Sequence, residues 1–292
     1  MRTSYACAML SRRHFVLGGV IAPAGGILGL AGCERRPGGT SSSAEASGGT
    51  DGGVSSLTID TVLGRVVLRL PNALDEGASS PSGAGDDASA QWRACVEAAG
   101  HRIAEVWGTT RPAGLEGDLR VTLCRDDAEF AASADGLDAD TAGVTTRQGV
   151  FLAPSVASSL TEAGRRVVLA HELTHLWLGQ FGADATQWWL KEGAAEWTAA
   201  PLVSVPERSR WPTLAQAAPQ KKIGDSPPPQ EQVGTELGYE WAHAYVTYLA
   251  DGAGTARVVA LVRARPRDAT AGAAPLVAGR ESFTTWLSGR LR

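Results

Sequence analysis

The sequence predicts an α+β fold in which a mixed β-sheet with helices fills the first half of the chain and a mostly helical part the second. Three observations carry that expectation. β-branched and other apolar residues alternate or cluster at 57–71, 119–125 and 142–154, as strands require. Apolar residues recur at helical spacing over 91–108 and again through most of the chain beyond 159. No internal repeat interrupts the series. With 292 residues, 43% of them hydrophobic and 20% charged, the chain can bury a sizeable core as one large domain or two small ones. Its formal charge is −4, and no basic stripe interleaved with aromatic residues occurs, so nucleic acid is not an expected partner.

The N-terminal residues read as an address. "SRRHFVLGGVIAPAGGILGLAGC" carries the pair Arg12 and Arg13, then an apolar stretch too short and too glycine-rich for a comfortable membrane helix, then Leu30, Ala31 and Gly32 before Cys33. It resembles a twin-arginine export signal joined to a bacterial lipobox. That resemblance implies that residues 1–32 are a signal peptide and that Cys33 becomes the lipidated N-terminus. The protein would then be exported and lipid-anchored at the outer face of the cytoplasmic membrane or at the cell surface. An uncleaved apolar anchor is the other reading, and it too leaves the remainder outside the cytoplasm. Residues 33–56 are rich in Gly and Ser, bury nothing, and read as a flexible tether with a reach of roughly 25–30 Å. The globular domain is expected at 57–292. An exported compartment permits a disulfide between its two cysteines, Cys95 and Cys124; the alternative is two buried free thiols. Their separation in sequence is unlike the C-x-x-C of a zinc site.

Within the domain, "LTIDTVLGRVVLRLP" reads as a strand or hairpin and 76–90 as a polar loop. "QWRACVEAAGHRIAEVWG" spaces Trp92, Cys95, Val96, Ala99, Ile103, Val106 and Trp107 as a helix does. "LRVTLCR" is a strand, "DDAEFAASA" a short helix, and "AGVTTRQGVFLAP" a pair of strands or one long one. A helix of about twenty residues is expected from Ser159, where Ser159-Leu160-Thr161-Glu162 fits a capping box, to Gly179 or Gly182. A second begins at Asp184 or Thr186 and runs to Pro201. Gly193 inside it costs about 1 kcal/mol relative to alanine, which marks close packing against a neighbour. Residues 201–238 are Pro-rich and irregular; "ELGYEWAHAYVTYLAD", "TARVVALVRAR" and "ESFTTWLSGRLR" are helices.

The chemistry concentrates at 171–197, "HELTHLWLGQFGADATQWWLKEGAAEW", which holds two of only five histidines in the chain. On a helix, residues four apart differ by about 40° around the axis, so His171 and His175 project side by side and can bind one ion. Zinc takes nitrogen ligands in a tetrahedral shell, and a catalytic site uses three protein ligands with the last position open. Glu172 points toward that open position, where a carboxylate can take the proton of a water. The third ligand must come from another element; Glu192 and Glu196, one turn apart, are the candidates.

"HELTH" followed by "WWLKEGAAEW" resembles the gluzincin clan of zinc metallopeptidases, whose second helix carries W-L-x-E-G. The resemblance implies zinc as cofactor, Glu192 as third ligand, Glu172 as general base, and Glu196 as the acceptor for the free N–H of a ligand histidine. The sixteen residues between His175 and Glu192 are somewhat fewer than in the best-known members. "GYEWAHAYVTYL" resembles the P-Y-E-K-G helix start of the clan's aminopeptidases, which places the Tyr239 hydroxyl toward zinc; a neutral donor there would stabilise an oxyanion. The Gly-x-Met-Glu-Asn element that binds a free amine in those enzymes has no counterpart, so cleavage of internal peptide bonds, in a peptide or protein substrate, is expected. "GVFLAP" stands where the clan places an edge strand able to hold an extended peptide. The implied fold is a small zincin-like one, 57–182 carrying the sheet and active-site helix and 183–292 the helical subdomain. The resemblance covers 57–292 in layout, while its specific motifs occupy 171–196 and, more weakly, 239–249. His101 and His243 read as structural, and Trp177, Trp188, Trp189, Trp197 and Trp241 as core and cleft wall. The same residues also allow a surface lipoprotein that keeps zinc for structure or partner binding, or a latent peptidase. A structural site closes with four protein ligands, and no fourth candidate is evident.

Overall fold

The computed structural model describes residues 54–71, 84–133, 141–181 and 188–292. The leader 1–32, Cys33, the tether up to residue 53, and Gly182, Asp184 and Thr186 lie outside these residues.

Alternation makes the first unit a hairpin. Strands β1 (Val54–Thr61) and β2 (Gly64–Pro71) pair antiparallel from Val54↔Pro71 to Thr61↔Gly64. Val66, Leu68 and Leu70 face inward while Arg65 and Arg69 face solvent, the period-2 pattern of a half-buried strand. Pairing at Val54 brings residues 54–56, expected in the tether, into the sheet. Helix α1 (Ala84–Trp107) likewise begins within the expected loop at 76–90. It leads to β3 (Leu119–Leu123), which lies parallel to β2.

After helix α2 (Asp127–Ser133), β4 (Gly143–Thr146) and β5 (Gly149–Leu152) form a second hairpin. The five strands are ordered β1-β2-β3-β5-β4, with β5 parallel to β3 and β4 antiparallel at the edge. The apolar "GVFLAP" is therefore an inner strand, paired on both sides, with Val150 and Leu152 buried; the edge belongs to Gly143–Thr146.

The remaining helices are α3 (Ser155–Ser158), α4 (Glu162–Leu178), α5 (Trp188–Ala199), α6 (Glu207–Arg210), α7 (Pro212–Ala217), α8 (Glu236–Ala253), α9 (Thr255–Ala264), α10 (Ala269–Val277) and α11 (Phe283–Arg290). Helix α4 is capped by Thr161, whose hydroxyl accepts from the Gly164 N–H at 3.2 Å. The box expected at Ser159–Glu162 does not form, because Ser159 terminates α3 and the Glu162 carboxylate pairs with Arg166 one turn on. At the other end Gly179 adopts φ 61°, while Gly179 N–H bonds Leu176 O and Gln180 N–H bonds His175 O. This is a Schellman motif, which folds residue 180 back over residue 175.

The stretch expected to be irregular, 201–238, contains α6, α7 and 3-10 turns at 218–220 and 230–232. Side chains of α8 pin it in place. Trp211 Nε1 donates to His243 Nδ1 at 3.1 Å, Leu214 N–H to Glu240 at 2.7 Å, and Trp241 Nε1 to Ser226 O at 3.1 Å. Helix α10 was not anticipated from the sequence because Pro275 sits inside it; Asp268 caps it through the Ala271 N–H.

One apolar core runs through both halves, joining Ile59, Ile103, Leu169, Leu190, Val246 and Phe283. α4 lies in its middle and is buried without a break from Val167 to Leu178. α5 approaches α8 at Gly193, where a Cβ would come within 2.5 Å of Ala242 O, so the close packing inferred from that glycine is present. Cys95 and Cys124 are free thiols, a correction to the possible bridge. Cys95 belongs to the main core, and Cys124 to a separate cluster with Phe130, Val144 and Ala153. Burial raises both thiol pKa values, that of Cys124 to about 12, which keeps them protonated. Among the described residues no helix is long and apolar enough to cross a membrane.

Candidate metal centre

A helix buried on every side is an expensive place for ionisable groups, each costing several kcal/mol unless paired. Yet His171, Glu172 and His175 on α4 and Glu192 on α5 are all at most 1% exposed. Their tips converge. His171 Nε2 and His175 Nε2 lie 3.0 Å apart, and Glu192 Oε2 stands 3.4 Å from the first and 3.3 Å from the second. This buried group can hold a metal ion. Of the two candidates for third ligand, Glu192 is the one brought into the triangle.

Glu196, one turn along α5, faces the far side of the same ring: its Oε1 lies 3.5 Å from His171 Nδ1. His175 is treated differently. Its Nδ1 lies 3.1 Å from Gln180 Oε1, in hydrogen-bond range, because the Schellman turn at Gly179 carries Gln180 back over it. With both Nε2 atoms turned into the triangle, the His175 Nδ1–H donates to Gln180 Oε1, a contact of the kind that fixes the orientation of metal-ligating imidazoles, while Glu196 stands beside His171 Nδ1 as a nearby carboxylate.

Glu172 lies against β4, the strand at the sheet edge. Thr145 Oγ1 lies 2.6 Å from Glu172 Oε2 and 2.9 Å from the Glu172 carbonyl, so one hydroxyl positions the carboxylate against its own helix. Oε1 is buried without a hydrogen-bond partner. Gly143 on β4 makes room for this side chain, since a Cβ there would meet Glu172 Cγ at 2.8 Å and Oε1 at 3.1 Å. Burial raises the Glu172 pKa, with the neighbouring histidines and Thr145 opposing it. Burial would also disfavour a charged His171, but the Glu192 hydrogen bond and the Glu196 and Glu172 carboxylates outweigh it and hold its pKa at about 9. Glu192 is held well below the usual carboxylate range, its burial cost outweighed by the imidazoles. The carboxylates thus demand positive charge at the centre of the cluster.

Tyr239 is 3% exposed and packs edge-on to Trp188, the first residue of α5, at 4.9 Å between ring centroids. It lines a cavity of about 360 Å³ on the Glu196 side of His171, together with Val167, Trp211, Glu240 and His243. His243 is buried in that wall: burial, then Arg210, push its pKa down to about 3, and its Nδ1 accepts from Trp211. His101 is exposed on α1. Thr145, Gly143 and Gln180 were not anticipated as parts of the site. The first two sit on a strand remote in sequence, while Gln180 carried one usable signal, its place directly after a helix-ending glycine. No protein-family model matches the chain, and no curated protein matches it.

Proposed function

We propose that this protein is a zinc-dependent peptidase that cleaves internal peptide bonds, anchored outside the cytoplasm through a lipid on Cys33. The single observation that carries the reading is the buried triangle of His171, His175 and Glu192 beside a carboxylate, Glu172, with one unpaired oxygen. Two imidazoles and one carboxylate with a fourth position open are a donor set that catalytic zinc takes. Ligands at about 2.0–2.1 Å in a tetrahedral shell stand about 3.3 Å apart, which matches the observed 3.0–3.4 Å. When bound, zinc would supply a Lewis acid that acidifies water and polarises a carbonyl.

The chain's own residues supply the rest. Glu172 takes the proton of the attacking water at Oε1 and returns it to the leaving amine, while Thr145 keeps the other oxygen fixed. Burial, which raises its pKa, favours that exchange. Tyr239 donates to the developing oxyanion, and Glu196 holds His171 in orientation. An extended peptide adds to the outer side of β4, the edge strand among the described residues, where Gly143 lies against Glu172.

One observation favours a second reading, a latent peptidase or a lipoprotein that only holds zinc: the ligand side chains are nearly wholly buried. Metal analysis of the full chain, followed by incubation of wild type and Glu172→Gln with a diverse peptide library read by mass spectrometry, separates the readings. Stoichiometric zinc in both with cleavage by the wild type alone is expected. Zinc with no cleavage by either would move the assignment to the second reading, and no zinc in either would overturn the site.

A further inference from the structure

We propose that the protein has a second ligand site, for a small organic oxyanion, in the cavity behind His175. The cavity measures about 410 Å³ and is lined by Trp177, Gln180, Arg111, Arg263 and Arg265 together with apolar parts of Pro112, Leu178 and Val262. Its floor and its rim differ. On the floor, Trp177 and Gln180 are each 1% exposed, and the indole Nε1 and the amide Nε2 are buried donors without a hydrogen-bond partner. The amide cannot simply turn over to hide its donors, because its oxygen is engaged by His175. At the rim stand three guanidinium groups, and no Asp or Glu lines the cavity among the described residues.

The arginines have a structural task as well. Arg263 donates to Trp107 O at the end of α1, and Arg265 to Leu178 O at the end of α4, both favourable places for a cation. Arg111 holds Gly117 O and reaches Leu63 O at 3.5 Å. Capping explains why cations stand here. It does not explain why the Trp177 indole and the Gln180 amide nitrogen, both in residues that line the cavity, stand as donors without partners. A buried donor left unpaired costs about 1–3 kcal/mol, and a set consisting of cations and neutral donors is complementary to an oxyanion. The volume exceeds a bare phosphate, so the ligand is a phosphate or carboxylate carried on a small organic body that meets Pro112, Leu178 and Val262.

The test is calorimetric titration of the full chain with inorganic phosphate and, separately, with succinate, at fixed ionic strength. Saturable one-to-one binding of either is expected, and the tighter of the two names the anion. Arg263→Gln should weaken it about tenfold or more, and Gln180→Glu, which sets a carboxylate on the floor, should abolish it. Trp177→Phe leaves every arginine in place and should weaken binding about fivefold, with circular dichroism confirming that each variant is folded. No saturable binding of either anion, or binding that Arg263→Gln, Gln180→Glu and Trp177→Phe leave unchanged, would overturn the site.

Discussion

His171 and His175 share one helix, one motif and one partner in Glu192, but their outer faces meet opposite chemistry. His171 looks toward the carboxylate of Glu196 and a cavity walled partly by Glu240. His175 looks toward the neutral amide of Gln180 and a cavity rimmed by arginines. The difference is one of charge balance. A dication bound in the triangle would be balanced by Glu192 and Glu196 together, with Glu172 adding one more negative charge; a further carboxylate in place of Gln180 would leave the buried cluster over-charged. Helical spacing alone makes the two histidines equivalent, and only the tertiary structure distinguishes them.

The ligands themselves should show no such asymmetry. His171→Ala, His175→Ala or Glu192→Ala should each abolish stoichiometric metal in elemental analysis, a loss larger than the roughly hundredfold an outer partner carries. A metal-replete Glu192→Ala protein would break the triangle on which the comparison rests. The outer partners should then separate the two sides. In competition with a chromophoric chelator, Glu196→Gln is expected to weaken metal binding toward the upper end of about 10–100-fold and Gln180→Leu toward the lower end, since only the first removes a charge. Equal losses would show that the two faces are energetically alike.

Each side also depends on a glycine. Gly193→Ala forces a Cβ against Ala242 O and lifts α5, so it should cost about 1–3 kcal/mol in denaturant unfolding and weaken metal binding from the Glu192 side. Gly179→Ala places a side chain at φ 61° near Arg265, costs about 1 kcal/mol, and should disturb only Gln180 and His175. Burial raises the pKa of Glu240 to about 7, so in the folded state it keeps its proton over a range where the unfolded chain has lost it. Stability falls as pH rises from the unfolded value, about 4.5, through 7, and the full cost is present above that. Glu240→Gln is neutral throughout and should be more stable than wild type at pH 8 by on the order of 1 kcal/mol, with the gain vanishing below pH 4.5, as melting across pH would report.

The core of the site was legible in the sequence because it is local. Residues 171, 172 and 175 lie on one helix, and 192 and 196 share the next, so spacing determines which faces meet. The glycine at 193 was legible for the same reason, and its close approach to α8 is observed. What escaped depends on contacts between distant segments. Thr145 reaches Glu172 across twenty-seven residues, and the strand order that makes β4 the edge is set by pairing, not by the apolarity of "GVFLAP". The two cysteines were even in number, yet they lie in different clusters. Thr161 rather than Ser159 caps α4 because a one-turn helix ends at Ser159, a competition between neighbours that a capping motif does not reveal. The short helices within 201–238 rest on buried hydrogen bonds to α8, which no local pattern encodes.

The central claim is a metal centre with three protein ligands and an open position. Zinc-edge X-ray absorption on the full chain, with Glu172→Gln alongside, tests it most directly. Two imidazole nitrogens and light oxygen donors at about 2.0–2.1 Å are expected in both proteins, with the outer-shell imidazole signal of two rings. A shell completed by a third imidazole or by a sulfur, or one that loses a ligand in Glu172→Gln, would contradict it.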